Sequence, residues 1–318
     1  MDKRIAIIGA GIAGLAAASV LREQGLVCTI FDKSRGVGGR MATRRIDSLS
    51  FDHGAQYFTA KGSRFRQLVA GWHAAGHITN WFDEAFVGVP GMTAPVRAMV
   101  QGFETVLDYE VKVLHRNDSG WSLVGGTNNT SYSQFDAVIV SIPAPQAKAL
   151  LAEADIAFPQ LEQASYAPCL ALMLAFESAP DFIDHYKRFD TGPIAWIARN
   201  SSKPDRGSNS HTFVVHAGPE WSRTHIDDKP DKIQDQLLPY AIDAIQPKSN
   251  PIFATAHRWR YALVEQTAGV PCLWNAQARI GACGDYCLGP RIEAAFESGE
   301  AMAKTLLVSL ADGSQNHV

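Results

Sequence analysis

The sequence predicts an α/β fold: a parallel, Rossmann-type β-α-β sheet, with a mixed-sheet α+β region interleaved in the chain. Three observations carry this. Residues 4–32 read as strand, glycine turn, helix, strand and acid, the order of a β-α-β unit. Near the C-terminus a short apolar strand runs into Gly284-Asp285, and a helix pattern follows. Between these ends lies a long stretch of short, alternating strands that reads as a second region. The 318 residues suit two domains at about 150 residues each.

Residues 4–8 are short, apolar and β-branched, the pattern of a buried parallel strand. Gly9 to Gly14 interrupt it, and the alanine-rich Leu15–Gln24 continues as a helix capped by Gly25. Val27–Phe31 is a second strand ending at Asp32. Residues 33–45 form a loop with five basic residues and no acid. Ser63–Ala75 has an amphipathic helical pattern. Thr105–Arg116, Trp121–Val124 and Ala137–Ile142 read as three strands, with turns at 117–120 and 127–129. Leu170–Phe176, Ile194–Arg199 and Thr212–Ala217 follow as strands, and Ser201–Ser210 as a polar loop. Asp231–Ile245 is a helix that Pro239 should interrupt. Residues 252–262 alternate like a strand, Ala278–Ala282 is a short strand, and Arg291–Leu307 is the closing helix.

Composition narrows the function classes. With 46 % apolar and 19 % charged residues, the chain is globular rather than disordered. A formal charge of −3 disfavours a general nucleic-acid binder, which carries a basic excess. The five cysteines form no metal-binding C-x-x-C pair and no disulfide framework, which suits reduced thiols in the cytoplasm. Cys283 and Cys287 read as local packing rather than a redox pair. Lys3-Arg4 and the apolar run to Leu21 imitate a signal peptide, but the run holds three spaced glycines and leads into a second strand. No other stretch approaches the roughly 20 apolar residues that span a bilayer.

Gly9-Ala10-Gly11-Ile12-Ala13-Gly14 matches G-x-G-x-x-G in its required context, after a strand, opening a helix, with Asp32 18 residues beyond the last glycine. Gly9 permits the tight turn, Gly11 admits a pyrophosphate to the backbone, and Gly14 lets helix and strand pack closely. The helix N-terminus attracts the anion. Asp32 sits where a carboxylate accepts bonds from the adenosine ribose and repels a 2′-phosphate, which disfavours NADP there.

The fingerprint alone does not separate NAD from FAD. Asp32-Lys33-Ser34-Arg35-Gly36-Val37-Gly38-Gly39-Arg40-Met41 resembles the second glycine motif of amine-oxidase-like flavoproteins. The resemblance implies that Lys33, Arg35, Gly39, Arg40 and Met41 approach the cofactor diphosphate, a use that cations on flexible glycines suit. Cys283-Gly284-Asp285 resembles the distal FAD motif, whose acid contacts the ribityl and phosphate region. The helix opening at Arg291 and Ile292 would face the flavin pyrimidine and favour negative charge on the reduced ring. With no second G-x-G-x-x-G in the sequence, a reductase with two dinucleotide domains is disfavoured.

Taken with Phe51-Asp52-His53-Gly54-Ala55-Gln56-Tyr57-Phe58, Val89-Pro90-Gly91-Met92 and His257-Arg258-Trp259-Arg260-Tyr261-Ala262, nearly the whole chain resembles a bacterial, renalase-type member of the flavin-containing amine oxidase superfamily. The resemblance implies an amine-oxidase/hydroxylase-like fold with noncovalent FAD. It implies an FAD-binding domain at 1–60, 100–155 and 262–318, and a substrate domain at 61–99 and 156–261. It also implies oxidation of 2- or 6-dihydro isomers of NAD(P), with O2 reoxidising the flavin to give H2O2. Fold alone does not fix the substrate, so an amine oxidase of the same fold stands as an alternative. So does a non-enzymatic binder of the GDP-dissociation-inhibitor kind.

Hydride transfer needs a donor carbon held close to the flavin in a dry pocket, and no proton-abstracting triad. In residues 257–261 the alternation puts His257, Trp259 and Tyr261 on one face and Arg258 and Arg260 on the other. Trp259 and Tyr261 are the expected flank of the substrate ring, and Arg260 the expected phosphate partner. Gln56 and Tyr57 are expected to reach the flavin and substrate. His53 and His216 are weaker candidates, because a lone histidine is more often hydrogen-bonded structure than catalyst. No residue is assigned a catalytic role, and no metal site is expected.

Overall fold

The computed structural model describes residues 3–182, 184–206 and 210–315. The chain forms two compact units, one of residues 1–39, 96–165 and 264–318, the other of 40–95 and 166–263. The sequence assigns residues 40–60 to the dinucleotide-binding part, but they lie in the second unit. The reason is the buried Asp52, whose carboxylate collects bonds from Thr43, Met92, Lys203 and Arg206, all of that unit.

The first unit is built on strand β1 (Arg4–Ile8), helix α1 (Ile12–Glu23) and strand β2 (Val27–Phe31). β1 lies between two parallel neighbours, β2 and the strand Ala137–Val140. All four residues of Ala137–Val140 and the last four of β1 are buried, the continuous apolar reading of a sheet covered on both faces. Outward from this centre, Ile280–Ala282 and the antiparallel edge Leu273–Asn275 lie on one side, and Glu104–Val106 beyond β2 on the other. α1 packs on the closing helix Ile292–Gln315. There a Cβ on Gly299 would lie 2.0 Å from the Ala13 carbonyl, so that crossing requires glycine. The closing helix runs beyond the expected Leu307 end.

Between residues 104 and 140 the structure has five strands where the sequence suggests three. The expected strand Thr105–Arg116 breaks between Val106 and Val111, around Asp108 at φ +52°. Val111–Asn117, Gly120–Gly125 and Thr130–Phe135 form an antiparallel meander. Tyr132 and Phe135 of this meander, and Tyr109 just before it, pack against Phe31 of β2.

The second unit holds a five-stranded sheet in the order Tyr186–Arg188, Ile194–Arg199, His211–Ala217, Ser165–Phe176, Phe253–Gln266. One face carries Leu170, Leu172, Leu174, Ile197, Phe213 and Val215 against the helix Pro230–Ile245. That helix runs unbroken through Pro239, against the expected interruption. Its buried residues Ile233, Leu237, Ala241 and Ile245 recur at helical spacing. The packing of this stripe offsets the roughly 3 kcal/mol that an interior proline costs. The hairpin Ile78–Phe82/Ala85–Gly88 was not foreseen, because its Asp83-Glu84 turn lacks the glycine that marks such turns. Among the described residues no helix is long and apolar enough to cross a membrane.

Candidate functional site

In the first unit the chemistry is carried by the main chain. Gly9 has φ +109° and donates its N–H to the Phe31 carbonyl at 2.7 Å, which closes the turn after β1. A Cβ on Gly14 would meet the Gly9 carbonyl at 2.3 Å, whereas one on Gly11 would meet open space. Gly14 thus serves packing, and Gly11 leaves room above the backbone. Gly11 is the N-cap of α1; no side chain caps the helix and no acid stands in its first turn. The N–H groups of Ile12, Ala13 and Gly14 therefore open a helix end suited to an anion.

Asp32 organises this turn. One carboxylate oxygen accepts the Ala10 N–H at 2.7 Å and the other accepts the Ser34 N–H at 2.8 Å. A carboxylate has about four acceptor positions, so capacity remains for ribose hydroxyls. The Gly38 N–H bonds to the Ala10 carbonyl at 2.9 Å, which brings the second glycine loop against the first. Gly39, at φ +53°, lies beside Gly11. Lys33 and Arg35 are exposed. At the far edge of the sheet, Gly284 donates to Ser298 at 3.0 Å and Asp285 is buried. Arg291 is exposed and Ile292 half-buried where the closing helix begins. This cradle fits a dinucleotide: a Cβ-free turn over an uncapped helix end, with a carboxylate fixed beside it.

Arg40 and Met41 fall in the second unit. The Arg40 guanidinium donates to the Ala262 carbonyl at 3.1 Å and lies 5.9 Å from the Tyr166 ring centre. Its own carbonyl accepts the Ala55 N–H. Met41 is buried, and its carbonyl accepts the Thr93 hydroxyl.

The centre of the second unit is Asp52, fully buried. Arg206 donates to it through Nη2 at 2.6 Å and Nε at 3.1 Å, and Lys203 Nζ at 3.2 Å. Both cations are themselves buried. Burial raises the Asp52 carboxyl, but Lys203 and Arg206 outweigh it and hold it well below the usual carboxylate range. Burial lowers the Lys203 ammonium to about 8, against the upward pull of Asp52. None of this was foreseen: Lys203 and Arg206 sit among Ser, Pro, Asp and Gly and read as a solvated loop.

Gln56 is part of the same network. Its amide nitrogen donates to the Asp52 and Gly54 carbonyls and its oxygen accepts from Lys203 at 3.1 Å. Trp259 Nε1 donates to the His53 carbonyl at 2.9 Å, and the His53 and His257 rings pack at 5.0 and 4.5 Å from the Trp259 ring. Burial first, then the His257 and Arg44 charges, lowers His53 to about 3. Burial likewise lowers His216 and His257 to about 4. These three imidazoles are neutral at pH 7. Tyr261 packs edge-on to Tyr166. Arg260 is turned to an exposed ion pair with Asp227 at 2.7 Å, and that pairing does not favour its expected phosphate contact.

A second aromatic group escaped the sequence reading. Tyr186 stacks on Trp196 with ring centres 4.3 Å apart and planes 10° from parallel. Phe82 and Tyr57 extend the cluster, and the Tyr57 hydroxyl accepts from Arg188 at 3.1 Å. Strand pairing across the sheet assembles it, and no local motif encodes that. All five cysteines are free. Burial pushes the Cys283 and Cys287 thiols up, as inert packing residues require.

Comparison with known proteins agrees with this frame. Residues 7–72 match the NAD(P)-binding Rossmann-like domain, and residues 73–307 match the flavin containing amine oxidoreductase model. A 4,4'-diapophytoene desaturase (4,4'-diaponeurosporene-forming) of Staphylococcus aureus (strain Newman) is 33 % identical over 112 residues, which are 32 % of this chain and only 22 % of the desaturase. Among solved structures, one from Exiguobacterium sp. 255-15 described as a protoporphyrinogen oxidase superposes with a TM-score of 0.75 at 14 % identity, over 98 % of this chain and 99 % of that one. The cyclohexylamine oxidase from Brevibacterium oxydans IH-35A gives 0.68 at 12 % identity, over 98 % and 100 % of the two chains. At such identities these two show the fold alone. Because the second family model spans most of the sequence, the chain belongs to the flavin-containing amine oxidoreductases.

Proposed function

We propose that this enzyme oxidises a 2- or 6-dihydro isomer of NAD(P), with one proton and O2, to NAD(P)+ and H2O2. Bound FAD supplies two-electron hydride acceptance. The observation that carries the reading is the His53–His257–Trp259 cluster. It is an aromatic patch, its rings tilted or edge-on to one another, whose imidazoles are neutral at pH 7. Such a patch suits a reaction in which the protein keeps the pocket dry and abstracts no proton. The renalase-type resemblance of residues 51–58 and 257–262 supports it further.

In this reading Gly9, Gly11, Ile12, Ala13 and Gly14 hold the diphosphate of a noncovalent FAD. Asp32 holds the ribose, and Lys33, Arg35, Gly39, Arg40, Met41, Gly284, Asp285, Arg291 and Ile292 complete its site. Tyr57, Trp259 and Tyr261 bound the substrate, while Gln56 acts by fixing the loop that carries Tyr57. The enzyme works in the cytoplasm, where its five free thiols stay reduced.

The alternative, an amine oxidase, draws on the family and on the cyclohexylamine oxidase fold match. A protonated amine seeks the faces of aromatic rings. Here the Arg188 guanidinium already lies 5.2 Å from the Trp196 ring centre and repels a second cation. Anaerobic mixing of the yellow protein with 2-dihydro-NAD, 6-dihydro-NAD, NADH and a panel of amines separates the readings. Bleaching of the flavin absorbance by a dihydro isomer and not by amines is expected. Bleaching by amines alone overturns the proposal, and a colourless protein points to a binding module instead.

A further inference from the structure

We infer that Arg188, Trp196 and Tyr186 form an anion-reading subsite for the substrate, which takes a planar heterocycle whose attached sugar bears a phosphate. This rests on the reduced-nicotinamide reading and deepens it, because it names what recognises the nucleotide part.

The placement follows from strand register. Arg188 pairs with Trp196, and Trp196 with His216, so the three side chains form a row on one face of the five-stranded sheet. The next row, Lys187, Ile197 and Val215, belongs to the other face, where Ile197 and Val215 sit in the core under the helix Pro230–Ile245. Arg188 and Lys187 are therefore neighbouring cations on opposite sides of one edge strand. Arg188 is exposed, and Trp196 and Tyr186 are only half-buried.

Two features of the row call for a ligand. Arg188 lies 5.2 Å from the Trp196 ring centre and donates one bond, to the Tyr57 hydroxyl. Among the described residues no carboxylate pairs with it, in contrast to Arg260, which is neutralised by Asp227. A guanidinium has five donors, so the fork remains available to a phosphate, the partner its geometry matches best. The second feature is Trp196 Nε1, a buried indole N–H with no acceptor among the described residues. A buried donor left unpaired is costly, and a ring substituent such as a carboxamide oxygen would satisfy it. The Tyr186–Trp196 stack supplies the flat surface for the ring. Cation, acceptor-seeking N–H and stacking surface together describe a nicotinamide ribosyl phosphate better than a bare amine.

The test is binding to the oxidised holoenzyme, with no turnover. Nicotinamide mononucleotide and nicotinamide riboside, which differ by one phosphate, are titrated while tryptophan fluorescence and heat are followed. Wild-type protein is expected to prefer the mononucleotide by about tenfold or more, the worth of a charge-assisted contact. Arg188→Ala should collapse that preference to within about twofold, and Lys187→Ala should keep it. Trp196→Phe should weaken both ligands together. A preference that survives in R188A, or falls equally in K187A, overturns the inference, as does wild-type protein that does not distinguish the two ligands. The reaction is read separately by flavin bleaching. An unbleached enzyme with an Arg188-dependent preference sinks the proposed reaction and keeps the subsite; a bleached enzyme without the preference sinks only the subsite.

Discussion

In the first unit the working groups are main-chain N–H groups around Gly9–Gly14, whereas in the second they are side chains gathered on Asp52 from positions 43, 203 and 206. The first arrangement is local: Asp32 reaches back 22 residues to Ala10. The second is not, since Asp52 meets Lys203 across 151 residues and Arg206 across 154. The difference teaches where each site is fragile. A backbone cradle is broken by adding atoms, and a buried charge network by removing one partner.

The largest effect should come from Asp52→Asn. It leaves two buried cations without their carboxylate, a loss of about 3–5 kcal/mol when a buried pair is broken. Denaturant unfolding followed by tryptophan fluorescence should show the second unit giving way first. A variant as stable as wild type would mean that Lys203 sheds its charge at little expense, and would blur the contrast between the units.

Two glycine substitutions sharpen it from the other side. Gly14→Ala forces a Cβ into the Gly9 carbonyl and should cost about 1–3 kcal/mol, as overpacking does, with loss of flavin. Gly11→Ala places its methyl in open space, so stability should be nearly unchanged while flavin retention falls. Thermal melts beside the flavin-to-protein absorbance ratio measure both. Equal behaviour of the two variants would contradict the separate packing and ligand roles given to these glycines.

The smallest effect is pH dependence in the second unit. His53 is held near 3, below its ordinary 6.5. The unfolded chain therefore binds a proton first as pH falls. The stabilisation is complete above about 6.5 and is lost as pH drops towards about 3. From pH 7 to pH 6 this amounts to less than about 1 kcal/mol. Melting temperatures at pH 7, 6 and 5 should fall in wild type and fall less steeply in His53→Gln, where His216 and His257 keep their own share. An unchanged slope in the variant would assign the dependence to other groups.

Much of the first unit was legible in the chain. Its strand, glycine turn, helix and acid lie within one short segment whose conformation is set by φ freedom, helix packing and the reach of one carboxylate. Runs such as Ala137–Val140 show a fully buried strand by composition alone. The second unit was legible only in outline. Its strands showed through alternation, but Pro239 misled, because a local rule does not weigh the stripe of Ile233, Leu237, Ala241 and Ile245 against the sheet. Arg260 drew attention for the same reason: its aromatic neighbours in sequence suggested a site, yet it pairs with Asp227.

What the sequence by itself determined is the dinucleotide turn and the β-α-β order, since both rest on interactions between residues close along the chain. The tertiary structure alone decided that Lys203 and Arg206 are buried on Asp52, that Arg40 sits with the second unit, and that Arg188, Trp196 and His216 share one row of a sheet. Those outcomes depend on which distant strands and loops meet, and a charge in a polar loop looks the same in sequence whether water or a buried carboxylate receives it.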